Sequence, residues 1–294
     1  MMNGVILKAI SGFYYVSSNN KIYECKARGN FRKNGVSPTV GDRVEFTPID
    51  DCHGVVDKIL SRDNLLYRPP VANIDKLFIV SSYSVPAPDT LMIDRLISIA
   101  VYYGIEPVII FNKCDIGDFS NFEAIYKNSG FKTFVVSATE NIGIDILKEE
   151  IKDCISAFVG NSGVGKSSLL NALFGELELK TGEVSQKLGR GRHTTRHTEL
   201  FPHNYNGFVA DTPGFSTIDF AIENPYEFKL GLADTFPDFT EYTDNCRFTS
   251  CSHTCEKGCA VLEAVNNGFI EKSRHESYKL MFDELKEIKP WNNK

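Results

Sequence analysis

The chain has 294 residues, 42% apolar and 24% charged, with a formal net charge of −6 at pH 7. That length allows two or three domains with a sizeable core, and the composition is that of a soluble globular protein. The charge excludes a protein that is basic overall but leaves local basic patches open, and no apolar run approaches the ~20 residues of a membrane span. The apolar stretch in residues 1–8 is too short for a signal peptide and lacks a small-residue cleavage site. The expected location is therefore the cytoplasm, where eight cysteines point to a metal site before they point to disulfides.

Residues 1–68 read as short strands. Val5–Ile10, Phe13–Val16 and Lys21–Ala27 form one group, Asp42–Thr47 and Gly54–Leu60 another, separated by glycine, asparagine and proline breaks. Five such strands predict a small barrel of the OB type. The segment holds ten Lys/Arg against seven Asp/Glu. Arg28, Arg32 and Lys33 beside Phe31 would suit a nucleic-acid loop, or simply a solvated one. Arg68-Pro-Pro70 reads as a linker.

The period then changes. Leu77–Val80, Pro107–Phe111, Lys132–Val136 and Cys154–Val159 are apolar, strand-like runs. Thr90–Tyr103, Phe122–Lys127 and Ile144–Lys152 have helical spacing. Alternation of this kind predicts a parallel α/β sheet covered on both faces. Asn112-Lys-Cys-Asp115 falls at the carboxyl end of a strand, where such sheets bind ligands. The Asp115 carboxylate can accept from the ring N–H and exocyclic amine of guanine, a pair that adenine cannot supply. Asn112 and Lys113 would brace the loop, and Ser137-Ala138 is the expected second base-contacting loop.

Gly160-Asn161-Ser162-Gly163-Val164-Gly165-Lys166-Ser167-Ser168 lies between an apolar strand and a helical stretch. In that context G-x-x-x-x-G-K-S is a phosphate loop. Its glycines let successive N–H groups point at one spot, Lys166 reaches the β- and γ-phosphates, and Ser167 offers a hydroxyl to Mg²⁺. From Gly175 to His197 the apolar rhythm stops. Lys187, Arg190, Arg192 and Arg196 face no acid between Glu183 and Glu199, which predicts a basic switch loop with Thr194 or Thr195 reaching Mg²⁺. Thr198–His203 and Gly207–Ala210 read as strands. The second delivers Asp211-Thr-Pro-Gly214, with Asp211 toward the magnesium and the Gly214 N–H toward the γ-phosphate. Phe215 stands where small GTPases place a water-orienting glutamine. His193, with His197 second, is the candidate to replace it.

Within residues 246–259 lie Cys246, Cys251, His253, Cys255 and Cys259. Five such groups in a reduced chain point to a closed tetrahedral zinc site, without choosing four of the five. Tyr278, Met281, Phe282 and Leu285 form the face of a docking helix.

The boxes occur in an unusual order: Asn112–Asp115 and Ser137-Ala138 precede the phosphate loop and Asp211–Gly214. An ordinary GTPase begins with the phosphate loop, so this is a circular permutation. With the barrel and the cysteine cluster, the chain resembles the ribosome small subunit-dependent GTPase A family of bacteria. The resemblance implies three domains, at 1–68, 69–219 and 220–294: an OB-fold RNA-binding domain, a permuted GTPase domain and a mostly helical zinc domain. It implies Cys246, Cys251, His253 and Cys259 as the zinc ligands, with Cys255 spare. The family's Gly-Arg-Gly-x-His-Thr-Thr loop matches Gly189–Thr195, and its hydrophobic replacement for the catalytic glutamine matches Phe215. A further implication is GTP hydrolysis with Mg²⁺, stimulated by the 30S subunit through contact with 16S rRNA late in assembly, by a monomer with no membrane partner. A protein-binding switch without RNA, or an RNA-binding module with vestigial GTPase activity, stays open on the residues alone. Because the C-terminal region follows Asp211–Gly214 directly, loss of the γ-phosphate is also expected to pull on it.

Overall fold

The computed structural model describes residues 1–29, 31, 37–83, 87–175, 198–211 and 222–290; of Asp211 it describes the backbone only. Strands β1 (Met2–Ile10), β2 (Phe13–Ser18), β3 (Lys21–Ala27), β4 (Arg43–Pro48) and β5 (His53–Ile59) make the N-terminal barrel. They close in the cyclic order β1-β2-β3-β5-β4, antiparallel except where β3 meets β5. That is the OB-type closure. β1 begins three residues before its apolar run, because Met2, Asn3 and Gly4 pair with Phe46, Glu45 and Val44. Backbone pairing there needs no apolar side chain. Strand alternation lets β1 serve two cores. Ile6 joins Val16, Tyr23, Cys25, Val44, Phe46 and Val56 inside the barrel, whereas Leu7 joins the core beneath the neighbouring sheet.

Arg68-Pro-Pro70 is not a free linker. It turns the hairpin of β6 (Leu65–Tyr67) and β7 (Pro70–Ala72), and the Arg68–Pro69 peptide is cis. The hairpin is bolted to the barrel. The Ala72 amide donates to Val40 O at 2.8 Å, and Asn73 Nδ2 donates to Gly41 O at 2.9 Å. Gly41 has φ +88°, and a Cβ there would lie 2.0 Å from Ala72 O. Arg62 clamps the buried Asp42 through Nε at 2.7 Å and Nη2 at 2.9 Å. The proline pattern marks the turn, but only these long-range bonds make it rigid.

The second unit is the stretch of sheet in the order β10-β9-β8-β11-β13-β12. Its strands are β8 (Lys76–Ser82), β9 (Glu106–Asn112), β10 (Lys132–Val136), β11 (Ile155–Val159), β12 (Glu199–His203) and β13 (Gly207–Asp211). All pairs are parallel except β12 with β13, which a three-residue turn joins antiparallel, and β12 pairs antiparallel in turn with β1, so that this sheet continues into the barrel. Alternate residues go to opposite faces. Leu77, Ile79, Ile109 and Phe111 pack with α1 (Thr90–Tyr102) and α2 (Ser120–Asn128). Phe78, Val80, Val108 and Ile110 pack with α3 (Ile144–Glu150) and α4 (Lys166–Phe174). α1 starts where Asp89 accepts from the Met92 amide at 3.3 Å. Counted from β11, the spatial order becomes 2-3-1-4-5-6 along the sheet. α3 is the connection that carries the chain from the edge strand β10 to the central strand β11. It passes over β9 and β8, packed against α4 by Ile144 and Leu147.

Among the described residues, the remaining α-helices are α5 (Pro225–Leu230), α6 (Thr240–Thr243), α7 (Ala260–Asn266) and α8 (Lys272–Leu285). Tyr278 and Met281 of α8 are buried with Phe228, Phe236, Phe239 and Val261, and this cluster takes in Ile99 of α1. Phe282 and Leu285 pack at its margin, so the apolar face expected of a docking helix lies against the chain's own core. At the same contact Arg274 of α8 is fully buried. It donates to Asp94 of α1 at 2.7 Å and to Asp238 at 2.8 Å, with its guanidinium over the rings of Phe131 and Phe236.

Candidate nucleotide and metal sites

The boxes share one rim because each follows the carboxyl end of a parallel strand. Gly160 ends β11 at φ +146°, and a Cβ there would lie 2.1 Å from Val80 O. Gly163 and Gly165 have φ of +87° and +89°, the left-handed conformation that glycine adopts without cost. A Cβ on Gly165 would lie 2.4 Å from Asn112 Nδ2. Val164 is buried, whereas Ser162, Ser167 and Ser168 are exposed and Asn161 is half-buried. Lys166 folds across the loop and donates to Gly160 O and, at 3.0 Å, to Asn161 O. Partial burial lowers its pKa from the ordinary lysine value.

Asn112 is buried and ties three loops together. Its Nδ2 donates to Val164 O at 3.0 Å, and its Oδ1 accepts from the Ala138 amide at 3.1 Å. Lys113, at φ +68°, donates through Nζ to Gly163 O at 2.7 Å. Asp115 accepts from Ser137 Oγ at 2.5 Å, and the Cys114 amide donates to Val136 O at 3.0 Å. The structure therefore brings Asn112–Asp115, Ser137-Ala138 and Gly160–Lys166 together as one cradle. Across the sheet, Ala210 pairs with Ala157, so the β13 backbone delivers Asp211 to the same rim. His193, Thr194, Thr195, His197, Gly214, Phe215 and the Asp211 side chain lie outside the described residues, as do Arg32 and Lys33. Of the barrel's proposed nucleic-acid cluster, Arg28 pairs with Asp57 at 2.7 Å and Phe31 packs on the barrel core.

The second group is Cys246, Cys251, His253 and Cys259, whose ligand atoms all lie within 4.8 Å of one another. Cys246 Sγ is 3.5 Å from His253 Nδ1 and 3.9 Å from Cys259 Sγ, and Cys259 Sγ is 3.6 Å from His253 Nδ1. A tetrahedron with Zn–S and Zn–N bonds of ~2.3 and ~2.1 Å has edges of about 3.5–3.8 Å, so the four groups fit zinc. Cys255 is exposed and stands outside the four. His253 is held at φ +56°. His275 Nε2 lies 2.7 Å from His253 O, and the Tyr278 hydroxyl donates to Ser252 O at 2.8 Å. Glu256 accepts from the amides of Ser252, Thr254 and Cys255 and from Ser252 Oγ. Burial works against its charge, yet the bonds from Ser252 and Cys255 hold its carboxyl down to about 2.

The sequence reading missed Glu256, His275 and Tyr278 as supports of this loop. It also missed the Arg274–Asp94–Asp238 triad. A charged Asp94 inside the apolar α1 stripe was the available signal.

A family model described as RsgA GTPase matches residues 59–221, and one described as RsgA N-terminal domain matches residues 3–56. The chain belongs to the RsgA GTPase family. A relative named small ribosomal subunit biogenesis GTPase RsgA, from Caldanaerobacter subterraneus subsp. tengcongensis, is 44% identical over 97% of this chain and 96% of its own length. Another so named, from Clostridium novyi, is 44% identical over 97% of each chain. Among solved structures, YjeQ from Thermotoga maritima matches with a TM-score of 0.83 at 36% identity, covering 98% of this chain and 99% of that one. YloQ, titled a circularly permuted GTPase, matches at 0.80 and 35%, covering 99% and 96%. The RsgA-family assignment thus spans barrel, permuted sheet and C-terminal region together, and its chemistry is that of a GTPase.

Proposed function

We propose that this protein binds GTP in the Asn112–Gly165 cradle and hydrolyses it on the small ribosomal subunit, in support of late 30S maturation. The observation that carries the nucleotide reading is the double engagement of Asn112, which joins the base-reading loops to the phosphate loop. The ribosomal role follows from the relatives' names. In this reading residues 1–68 contact 16S rRNA, residues 69–219 handle the nucleotide, and residues 220–294 are a zinc domain. The protein acts as a cytoplasmic monomer. Asp115 accepts from the guanine ring N–H and exocyclic amine, and Ser137 orients its carboxylate. Lys166 leaves its carbonyl partners for the β- and γ-phosphates, with the backbone N–H groups of 160–168 around them.

Ser167, exposed at the start of α4, Asp211, and Thr194 or Thr195 would hold Mg²⁺, which neutralises charge on the phosphate oxygens. The Gly214 N–H would serve the γ-phosphate. Phe215 cannot orient water, so His193, or else His197, does so when rRNA phosphates bind the basic residues around it.

The test is GTP turnover with and without purified 30S and 50S subunits. Specific 30S stimulation is expected, lost in Lys166→Ala and largely lost in His193→Ala with GTP affinity retained. Stimulation by neither subunit would favour a protein-binding switch. Tight RNA binding indifferent to nucleotide would favour an RNA module.

A further inference from the structure

We propose that Tyr83 is a positioning residue of the nucleotide site: its ring, seated on Gly117, holds the 112–119 loop where Asp115 meets the guanine. The inference rests on the reading of Asp115 as the base-reading group. β8 and β9 run parallel with Ser81 opposite Phe111 and Ser82 opposite Asn112. Tyr83 therefore leaves one strand as the Asn112–Asp115 loop leaves the next. A Cβ on Gly117 would meet Tyr83 Cγ, Cδ1 and Cδ2 at 2.0, 2.3 and 2.5 Å. Three carbons on one side of the ring at such distances place it over the glycine backbone.

The glycine is there for space. Gly163 and Gly165 need glycine for their positive φ, but Gly117 is not among the positive-φ glycines. What it cannot tolerate is a side chain under the Tyr83 ring. The Tyr83 and Phe119 rings are perpendicular, with centroids 5.7 Å apart and planes at 89°. Phe119 is buried and stacks on Phe111 at 5.1 Å, the residue before Asn112. The loop is thus bracketed at both ends by one aromatic chain, Tyr83–Phe119–Phe111. Hydrogen bonds fix its first half, through Asn112, the Cys114 amide, Ser137 to Asp115, and the Ile116 amide to Lys113 O. Past Ile116 the next described link to the body of the domain is the Tyr83–Gly117 contact. It lies two residues from Asp115.

The contact is made by ring carbons, so the hydroxyl is dispensable. Tyr83→Phe should leave nucleotide binding within about twofold of the parent, since the ring pair is kept. Tyr83→Ala should speed release of fluorescent GDP by roughly threefold to tenfold, the scale of one aromatic contact. Gly117→Ala should do the same by displacing the ring. The double variant Tyr83→Ala/Gly117→Ala should be no worse than Tyr83→Ala, because both changes remove one contact.

The readout that general loosening would not move is base discrimination. IDP keeps the ring N–H but lacks the exocyclic amine, so a slack Asp115 should lose affinity for GDP more than for IDP, and their ratio should shrink. Equal losses for the two nucleotides, additivity in the double variant, or unchanged GDP release in Tyr83→Ala would each overturn the proposal. Asp115→Asn serves as the separate arm. If it fails to shift preference from guanine toward xanthine nucleotides, the base-reading assignment itself is wrong. If it shifts preference while Tyr83→Ala does nothing, only the role of Tyr83 is wrong.

Discussion

Replacing Arg274 by methionine removes a guanidinium that is 0% exposed and faces two carboxylates, Asp94 at 0% and Asp238 at 6% exposure. Burial already pushes the pKa of Asp94 up, and the Arg274 charge opposes that push. Without Arg274, two acidic groups stay in the seam between α1 and α8 with no counter-charge. Breaking a buried pair in this way costs about 3–5 kcal/mol, while protonation of Asp94 sets a ceiling on the loss. Methionine fills much of the stem volume between Phe131 and Phe236, so little of the effect is a cavity. Urea unfolding at pH 7, followed by helix circular dichroism, should show a loss in that range, equivalent to roughly 6–20 °C in Tm at ~2–4 °C per kcal/mol. Adding Asp94→Leu and Asp238→Leu should restore much of it, because an apolar seam no longer carries unpaired charge. A loss below about 1 kcal/mol, or no recovery in the triple variant, would refute the reasoning. The same seam bears on the expectation that γ-phosphate loss pulls on the C-terminal region. Arg274, Ile99 and the buried Ser98–Thr235 hydroxyl pair at 2.7 Å fasten that region to α1, so any such pull must also move α1.

His203 is buried beside the Phe174 ring, and burial pushes its pKa down to about 4. The Tyr205 amide donates to its Nδ1, which favours the neutral ring. The unfolded chain therefore gains a proton first as pH falls, and stability present above the ordinary histidine pKa is lost between about 6.5 and 4, by roughly 3 kcal/mol at most. His203→Phe should remove that component when unfolding free energies at pH 7 and 4.5 are compared. Cys251→Ser should release zinc and Cys255→Ser should keep it, as metal analysis of the purified proteins would register; the reverse would break the four-ligand assignment. Gly163→Ala and Gly165→Ala impose similar φ strain, of order 1–3 kcal/mol. Only at Gly165 does the new Cβ meet Asn112, at 2.4 Å. Unfolding without nucleotide should thus show the larger loss for Gly165→Ala, and equal losses would mean that Asn112 does not hold the loop.

Much of the site was legible because its chemistry is local. Strand, glycine loop and Lys166 are contiguous, and so are Asn112–Asp115 and the cysteine cluster. Their order along the chain was enough to reveal the permutation. Alternation of apolar strands and helices indicated a parallel sheet, since each strand is buried on both faces. β12, Glu199-Leu-Phe-Pro-His203, pairs antiparallel with both β13 and β1, a direction set by the short turn to β13.

The rest depends on pairs far apart in sequence, which folding alone brings together. Nothing near Arg68-Pro-Pro70 tells that Asn73 and Gly41 will lock the hairpin to the barrel. Nothing near Arg274 names Asp94, 180 residues away. Spacing offered five zinc candidates; four converge because the Glu256 hydrogen bonds and the α8 side chains His275 and Tyr278 shape the loop and leave Cys255 outside. Which chemistries are present can be read along the chain, because motif chemistry lives in short segments. Which of those segments touch was decided by burial, because a buried donor, charge or ring takes whatever partner the fold brings to it.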